Sequence, residues 1–262
     1  MVFDVHESDR PGAETVLLSA GLGGAAGYWT PQLAALKERY RIVTYDQDGT
    51  GRKRSTELPA GYSIADMADE VLGILDATGT ASCHFVGHAL GGLAGVDLAL
   101  RAPDRLRSLS VINGWATADA HTRRCFEVRV ALLKHAGAEA YVRAQPIFLY
   151  PAAWLAANAA RMVQEDAHAL SGFQGTNNLL RRIEALLRFD ATPHLDALRL
   201  PVLLAAARDD VLVPCTQSEH LATAIAGATL HVAPWGGHGM NVTEPDAFNA
   251  ALLDFLDRHA AR

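Results

Sequence analysis

Gly87-His88-Ala89-Leu90-Gly91 has the glycine spacing of a sharp strand-to-helix turn that thrusts one side chain out of the backbone, yet its apex is an alanine. In the G-x-S-x-G form of this turn the apex is a serine that attacks a carbonyl carbon, and only small residues fit around it. Gly87 and Gly91 meet that steric demand. Ala89 removes the nucleophile, because a methyl group can neither attack a carbonyl nor carry an acyl intermediate. Hydrolysis on this frame therefore needs water, or a group elsewhere in the chain, as the attacking nucleophile. His88 is a candidate surrogate nucleophile or base, or a substrate contact, although the residue before the apex usually packs behind it.

Two later segments offer the remaining chemistry. Asp210, in Arg208-Asp209-Asp210-Val211-Leu212-Val213-Pro214, is the candidate acid, with Asp209 as the alternative; either could instead cap a helix predicted over 216–226. Gly236-Gly237-His238-Gly239 supplies an imidazole. A buried carboxylate that holds one imidazole N–H fixes the tautomer and stabilises the cation formed when the other nitrogen takes a proton. The glycine-rich Gly21-Leu22-Gly23-Gly24 lets the backbone turn its N–H groups inward, so the amides of Leu22 and Leu90 are candidates for an oxyanion hole. His121, His135, His168, His220 and His259 are dispersed without the paired spacing of a metal site, and the reading calls for no metal and no cofactor.

These groups need elements to position them. Short apolar or β-branched runs at 15–19, 40–45, 83–86, 109–113, 201–206 and 231–233 read as strands. Helical patterns over 29–39, 63–78 and 93–100 lie between them, and Ser63 followed three residues later by Asp66 is close to a capping box. Strand alternating with helix implies crossover connections, hence a mostly parallel sheet with helices on both faces. With the elbow, the carboxylate and the histidine in that chain order, the frame is an α/β-hydrolase fold.

From 116 to 194 the pattern becomes almost continuously helical, with helices predicted over 123–135, 152–170 and 177–189. This segment is expected to be a helical cap inserted into a core formed by 1–115 and 195–262. Most of its leucines and alanines read as added core. Arg123, Arg124, Gln174, Asn177, Asn178 and Arg181 are polar enough to face a substrate, and Arg123, Asn177 and Arg181 join His88 as the substrate-contact candidates.

Composition narrows the partners. With half of its 262 residues hydrophobic and a fifth charged, the chain falls among ordinary globular proteins and is long enough for one large core. A net charge of −6 argues against nucleic acid, whose phosphates need a concentrated basic face. The first residues lack the basic head and apolar middle of a signal peptide, and no apolar run reaches the ~20 residues of a membrane span. The expectation is a cytoplasmic protein acting on a small molecule, with no membrane partner. Cys83, Cys125 and Cys215, odd in number and widely spaced, point to free thiols in a reducing compartment.

Beyond the common elbow, several motifs are more distinctive. They include Tyr45-Asp46-Gln47, Asn113-Gly114-Trp115, His121-Thr122-Arg123-Arg124-Cys125-Phe126, Ala144-Gln145-Pro146, Phe148-Leu149-Tyr150-Pro151-Ala152, Phe173-Gln174-Gly175 and Asn177-Asn178-Leu179-Leu180-Arg181-Arg182. Together with Gly21-Leu22-Gly23-Gly24, Val86-Gly87-His88-Ala89-Leu90-Gly91 and Gly236-Gly237-His238, they make nearly the whole chain resemble the RutD family of the pyrimidine-utilisation pathway. That resemblance implies that Ala89 is the native residue. It also implies hydrolysis of a small labile product of uracil breakdown, carbamate or aminoacrylate, and a homodimer. Two other classes stay open from the sequence: an inert binding protein that kept the fold, and a lyase or oxygenase that needs no cofactor and uses the His238–Asp210 pair only as a base.

Overall fold

The computed structural model describes residues 1–260. In chain order the core opens with β1 (Val2–His6), β2 (Thr15–Ser19), α1 (Thr30–Lys37), β3 (Arg41–Asp46), α2 (Ile64–Ala77), β4 (Cys83–His88), α3 (Leu90–Arg101) and β5 (Leu106–Ile112). Four helices follow: α4 (Ala120–Leu149), α5 (Ala152–Ala157), α6 (Ala159–Ser171) and α7 (Thr176–Arg188). The core resumes with β6 (Val202–Ala207), α8 (Thr216–Ala224), β7 (Thr229–Ala233), the single turn α9 (Met240–Thr243) and α10 (Pro245–His259).

The seven strands form one sheet in the order β1-β3-β2-β4-β5-β6-β7, parallel except for the antiparallel edge pair β1 and β3. Every residue of β2, β4 and β6 is buried, which is what a parallel strand covered on both faces requires. Strand alternation divides the side chains between two cores. Leu17, Val43, Phe85 and Leu109 pack against Val71 and Ile74 of α2 and Val96 of α3. Val16, Leu18, Ile42 and Val86 pack against Leu36 of α1 and Leu252 and Phe255 of α10 on the opposite face. Each such side chain contributes roughly 1.5–3 kcal/mol when removed from water.

A third core joins the helical insertion to the carboxyl ends of the strands. Phe126, Leu133 and Tyr141 of α4 and Leu179, Ile183 and Leu186 of α7 lie over Ala89, Leu90 and Leu93. At its base an antiparallel bridge, Thr117 with Asp190, and the Ala191 amide donating to Ala116 O (3.0 Å) draw the two ends of the insertion together. Ligands of open α/β sheets bind at this edge, where the strands end and the connections diverge. No described helix is long and apolar enough to cross a membrane.

The departures from the expected elements have local causes. Val2–His6 forms a strand that the sequence pattern does not announce, because its half-buried residues carry no clear apolar period; antiparallel pairing with β3 supplies its hydrogen bonds. The helix expected over 123–135 continues to Leu149 in two segments, broken at Gly137, whose φ of 86° and ψ of −179° suit glycine. The helix expected over 152–170 divides at Asn158, whose backbone and side-chain nitrogens both donate to Trp154 O (3.0 and 2.9 Å).

Ser63 caps α2 in keeping with its spacing from Asp66: the Asp66 amide donates to the serine hydroxyl, and the Asp66 carboxylate accepts from the Ser63 amide. Ser63→Ala is expected to lower stability by about 1 kcal/mol, read as a shift in the urea midpoint without a change in slope.

Candidate active site

The elbow is built by close backbone contact. A Cβ on Gly87 would lie 2.5 Å from the Gly91 carbonyl, and one on Gly91 would lie 2.4 Å from Ser19 O. With no room for either carbon, β4 can turn into α3 against the end of β2, and Ala89 is forced to φ 45° and ψ −114°. A left-handed conformation in a residue other than glycine costs on the order of 1–3 kcal/mol and persists only where the surroundings enforce it. Here the Ala89 amide donates to Ile112 O at 2.8 Å. The Leu90 amide, in the first turn of α3, is one of the donors that a helix leaves without an internal partner.

Asp210 and His238 meet as a buried pair. His238 Nδ1 lies 2.7 Å from Asp210 Oδ2, while Asp210 Oδ1 accepts from the amides of Leu212 (2.8 Å) and Val213 (2.9 Å). Both carboxylate oxygens are therefore engaged, and Nδ1 is the protonated nitrogen, which leaves Nε2 as the basic one. Asp209 acts on the backbone instead, where its Oδ1 accepts from the Gly237 amide at 2.9 Å and shapes the histidine loop. Neither aspartate caps α8, whose N-cap is Cys215.

His88 lies behind this loop and touches it through main chain. Its Nε2 is 2.8 Å from His238 O, and because a carbonyl oxygen only accepts, Nε2 carries the proton. Asn113 Nδ2 donates to the same oxygen at 2.6 Å. Burial, and then the proximity of His238, push the His88 pKa down to about 3, so the ring is neutral. Its Nδ1 is buried without a partner. The structure thus gives His88, expected as a substrate contact, a part in holding the backbone of the His238 turn.

The remaining substrate-contact candidates lie farther out. Arg123 is exposed, donating from Nε to Ala118 O and from Nη2 to Leu187 O, both at 3.0 Å, so it ties α4 to α7 instead of reaching the elbow. Asn177 is exposed and lines a polar cavity of about 340 Å³ with Arg54, Glu57 and Gln174. Arg181 reaches toward Glu57 at 3.5 Å. Their neighbours turn inward. Asn178 accepts from the Leu58 amide (3.0 Å) and donates to Thr56 O (2.9 Å), and Arg182 is fully buried. A polar pair four residues apart in register with Leu179, Ile183 and Leu186 is the sequence signal that could have singled them out.

His238 also lines a cavity of about 380 Å³ with Phe148, Tyr150, Pro151, Leu155 and Val211, largely apolar and set where α4 ends. Leu149 O accepts from the Gly239 amide at 2.8 Å, so this part of the insertion is fastened to the histidine loop. Among the described residues no cluster of three or more His, Cys, Asp or Glu is placed to hold a metal ion.

Comparison with known proteins matches this architecture. The profile of the alpha/beta hydrolase fold matches residues 14–245. A protein of Variovorax paradoxus named "Putative carbamate hydrolase RutD" is 54% identical over 99% of this chain and 97% of its own length. A protein of the same name from a Caulobacter species is 50% identical over 100% and 97%. The chain belongs to the RutD family of α/β hydrolases. Among solved structures, the enol-lactonase of Burkholderia xenovorans superposes with a TM-score of 0.88 at 25% identity, over 97% of this chain and 95% of that one. A serine-to-alanine variant of the meta-cleavage product hydrolase of Pseudomonas fluorescens, complexed with acetates, has a TM-score of 0.80 at 25% identity, over 98% and 94%.

The depressed pKa of His88 makes stability depend on pH. Its folded value, about 3, lies below the ordinary 6.5, so between these limits the unfolded chain binds the extra proton. Stability should therefore be fully present above pH 6.5 and decline as pH falls toward 3, with a slope from this residue of up to ~1.4 kcal/mol per pH unit. In His88→Gln, urea midpoints measured across that range should show a slope smaller by about one proton.

Proposed function

We propose that this protein hydrolyses carbamate to ammonia and bicarbonate, with water in the role that serine holds elsewhere in the fold. The observation that carries the reading is the buried Asp210–His238 pair beside an elbow whose apex, Ala89, has only a methyl group. The names of relatives about half identical over essentially the full chain supply the substrate class. Acetates bound in a related fold with alanine in place of a serine fit a small carboxylate ligand.

In this reading the water sits beside the Ala89 methyl and passes a proton to His238 Nε2 as its oxygen bonds to the carbamate carbon. Asp210 stabilises the imidazolium that results. The Leu22 and Leu90 amides donate to the oxygens of the tetrahedral adduct, which carries two negative charges. The imidazolium then protonates the nitrogen, the C–N bond breaks, and ammonia and bicarbonate leave. All atoms and charges of carbamate plus water are accounted for.

A labile substrate suits so reduced a machinery. In serine hydrolases stripped of a triad member, the oxyanion hole and substrate positioning still leave about 10³–10⁴-fold acceleration over water. Aminoacrylate, also a small carboxylate that releases ammonia, is the second substrate such a site could take, and one assay covers both. Ammonia release from freshly prepared carbamate, and separately from aminoacrylate, is measured with and without enzyme. We expect acceleration for carbamate and a return to the spontaneous rate in His238→Ala. Activity undiminished in that variant removes the imidazole from the mechanism; tight binding of the substrate without any rate effect in the native protein replaces the reading with that of a binding protein.

A further inference from the structure

One cation is buried behind the oxyanion loop. Arg182 of α7 is completely enclosed, donating from Nη2 to Gly21 O (3.4 Å) and to Gln47 Oε1, and from Nη1 to Asp48 O (3.5 Å). All three acceptors are neutral, and the buried Nε has no partner. Desolvation lowers its pKa from the high value usual for arginine, but a guanidinium remains charged at neutral pH. Glu70 and Asp48 act on it from a distance, but both pair directly with Lys53; a buried ion without a direct salt bridge is costly, and further negative charge arriving nearby offsets that cost.

The acceptor on the loop links this cation to the chemistry. Gly21 O and the Leu22 N–H belong to one planar trans peptide, so they point in opposite directions. Whatever holds the carbonyl also aims the N–H. Gly21 O accepts from the Gly24 amide (3.0 Å) as well as from Arg182. Donors on a carbonyl also polarise the N–H across the same amide and make it a stronger donor. Gln47 extends the clamp: its Nε2 donates to Ala20 O at 2.7 Å while its Oε1 receives Arg182. Two successive carbonyls of the loop are thus held by one Gln–Arg pair. Asn178, one turn earlier on α7, fastens the helix to Leu58 and Thr56 in the connection after β3.

We propose that Arg182 is a positioning and specificity residue of the oxyanion hole: it fixes the Gly21–Leu22 peptide with its N–H toward the elbow and, as a cation behind that donor, favours substrates that are already anionic. This rests on the carboxylate-hydrolase reading above, in which a second negative charge develops during attack. A neutral ester gains only one. The insertion therefore contributes to catalysis from behind the loop, through a main-chain group.

The test uses acetate as the probe and the full-length protein labelled with ¹⁵N and ²H. In the native protein, acetate should shift the Leu22 and Leu90 amide resonances together. In Arg182→Met the Leu22 response should disappear while that of Leu90 remains, acetate affinity should fall at least 5-fold, and kcat for carbamate should drop about 10- to 100-fold, less than the ~10²–10³ expected for deleting an oxyanion donor outright. Arg182→Lys keeps the charge and loses the fork; it should bind acetate more tightly than the Met variant yet still lack the native Leu22 response, and it carries the test if the Met variant does not fold. A native Leu22 amide that ignores acetate, or one that responds equally in native and variant proteins, overturns the proposal. If the native protein releases no ammonia above the spontaneous rate but its Leu22 response depends on Arg182, hydrolysis of carbamate is wrong and the assignment of Arg182 stands.

Discussion

Between Gly91 and the carbonyls of Ser19 and Ala20 there is no space for a single side-chain carbon, and the rest of the site follows from that contact. It seats the first turn of α3 directly against the end of β2, where the chain enters the Gly21–Leu22 loop. It also forces residue 89 into a left-handed conformation, a strain of on the order of 1–3 kcal/mol that a serine would use to present its hydroxyl and that Ala89 retains without one. The sharp strand-to-helix turn is therefore present in full, with a methyl group at its apex.

Around that turn the polar groups act mainly on main chain. His88 and Asn113 both grip the carbonyl of His238, Asp209 grips the amide of Gly237, and Gln47 and Arg182 grip the carbonyls of Ala20 and Gly21. Side chains that pin backbone in this way hold the His238 turn and the Ala20–Gly21 loop, the two segments on which the proposed water-based mechanism draws. In the proposed mechanism, which has no covalent intermediate to hold the substrate, acceleration comes from such preorganised dipoles, which cost no reorganisation during reaction. The helical insertion takes part in this pinning, through Arg182 of α7 against Gly21 and through Leu149 against Gly239.

Much of the framework was legible in the chain. The parallel strands are short apolar runs, because a strand buried on both faces cannot be polar on either, and α2 announces its start with Ser63 and Asp66. The Asp210–His238 pair was legible for a different reason: each sits in a turn shortly after a strand of the parallel sheet, and parallel strands bring such turns to one edge. Less legible were the edge strand β1, whose half-buried residues lack a period, and the interruption of α4 at Gly137, since a single glycine marks a break no more clearly than a weak helix position.

The residues of α7 mark the limit of what the chain discloses. Within Asn177-Asn178-Leu179-Leu180-Arg181-Arg182 composition alone does not tell which asparagine or arginine faces inward; a rotation of about 100° per residue decides it, and the phase is set by packing of Leu179, Ile183 and Leu186. The sequence by itself determined the strand–helix alternation, the turns after the strands and the loss of a hydroxyl at position 89, because these rest on local sterics and short periods. Only the tertiary structure decided that Arg182 rather than Arg181 lies against Gly21, that His88 serves the backbone of His238, and that Arg123 ties helices together. Those contacts join residues 64 to 161 positions apart, and their partners are mostly carbonyl oxygens, which every residue possesses and no residue type reveals.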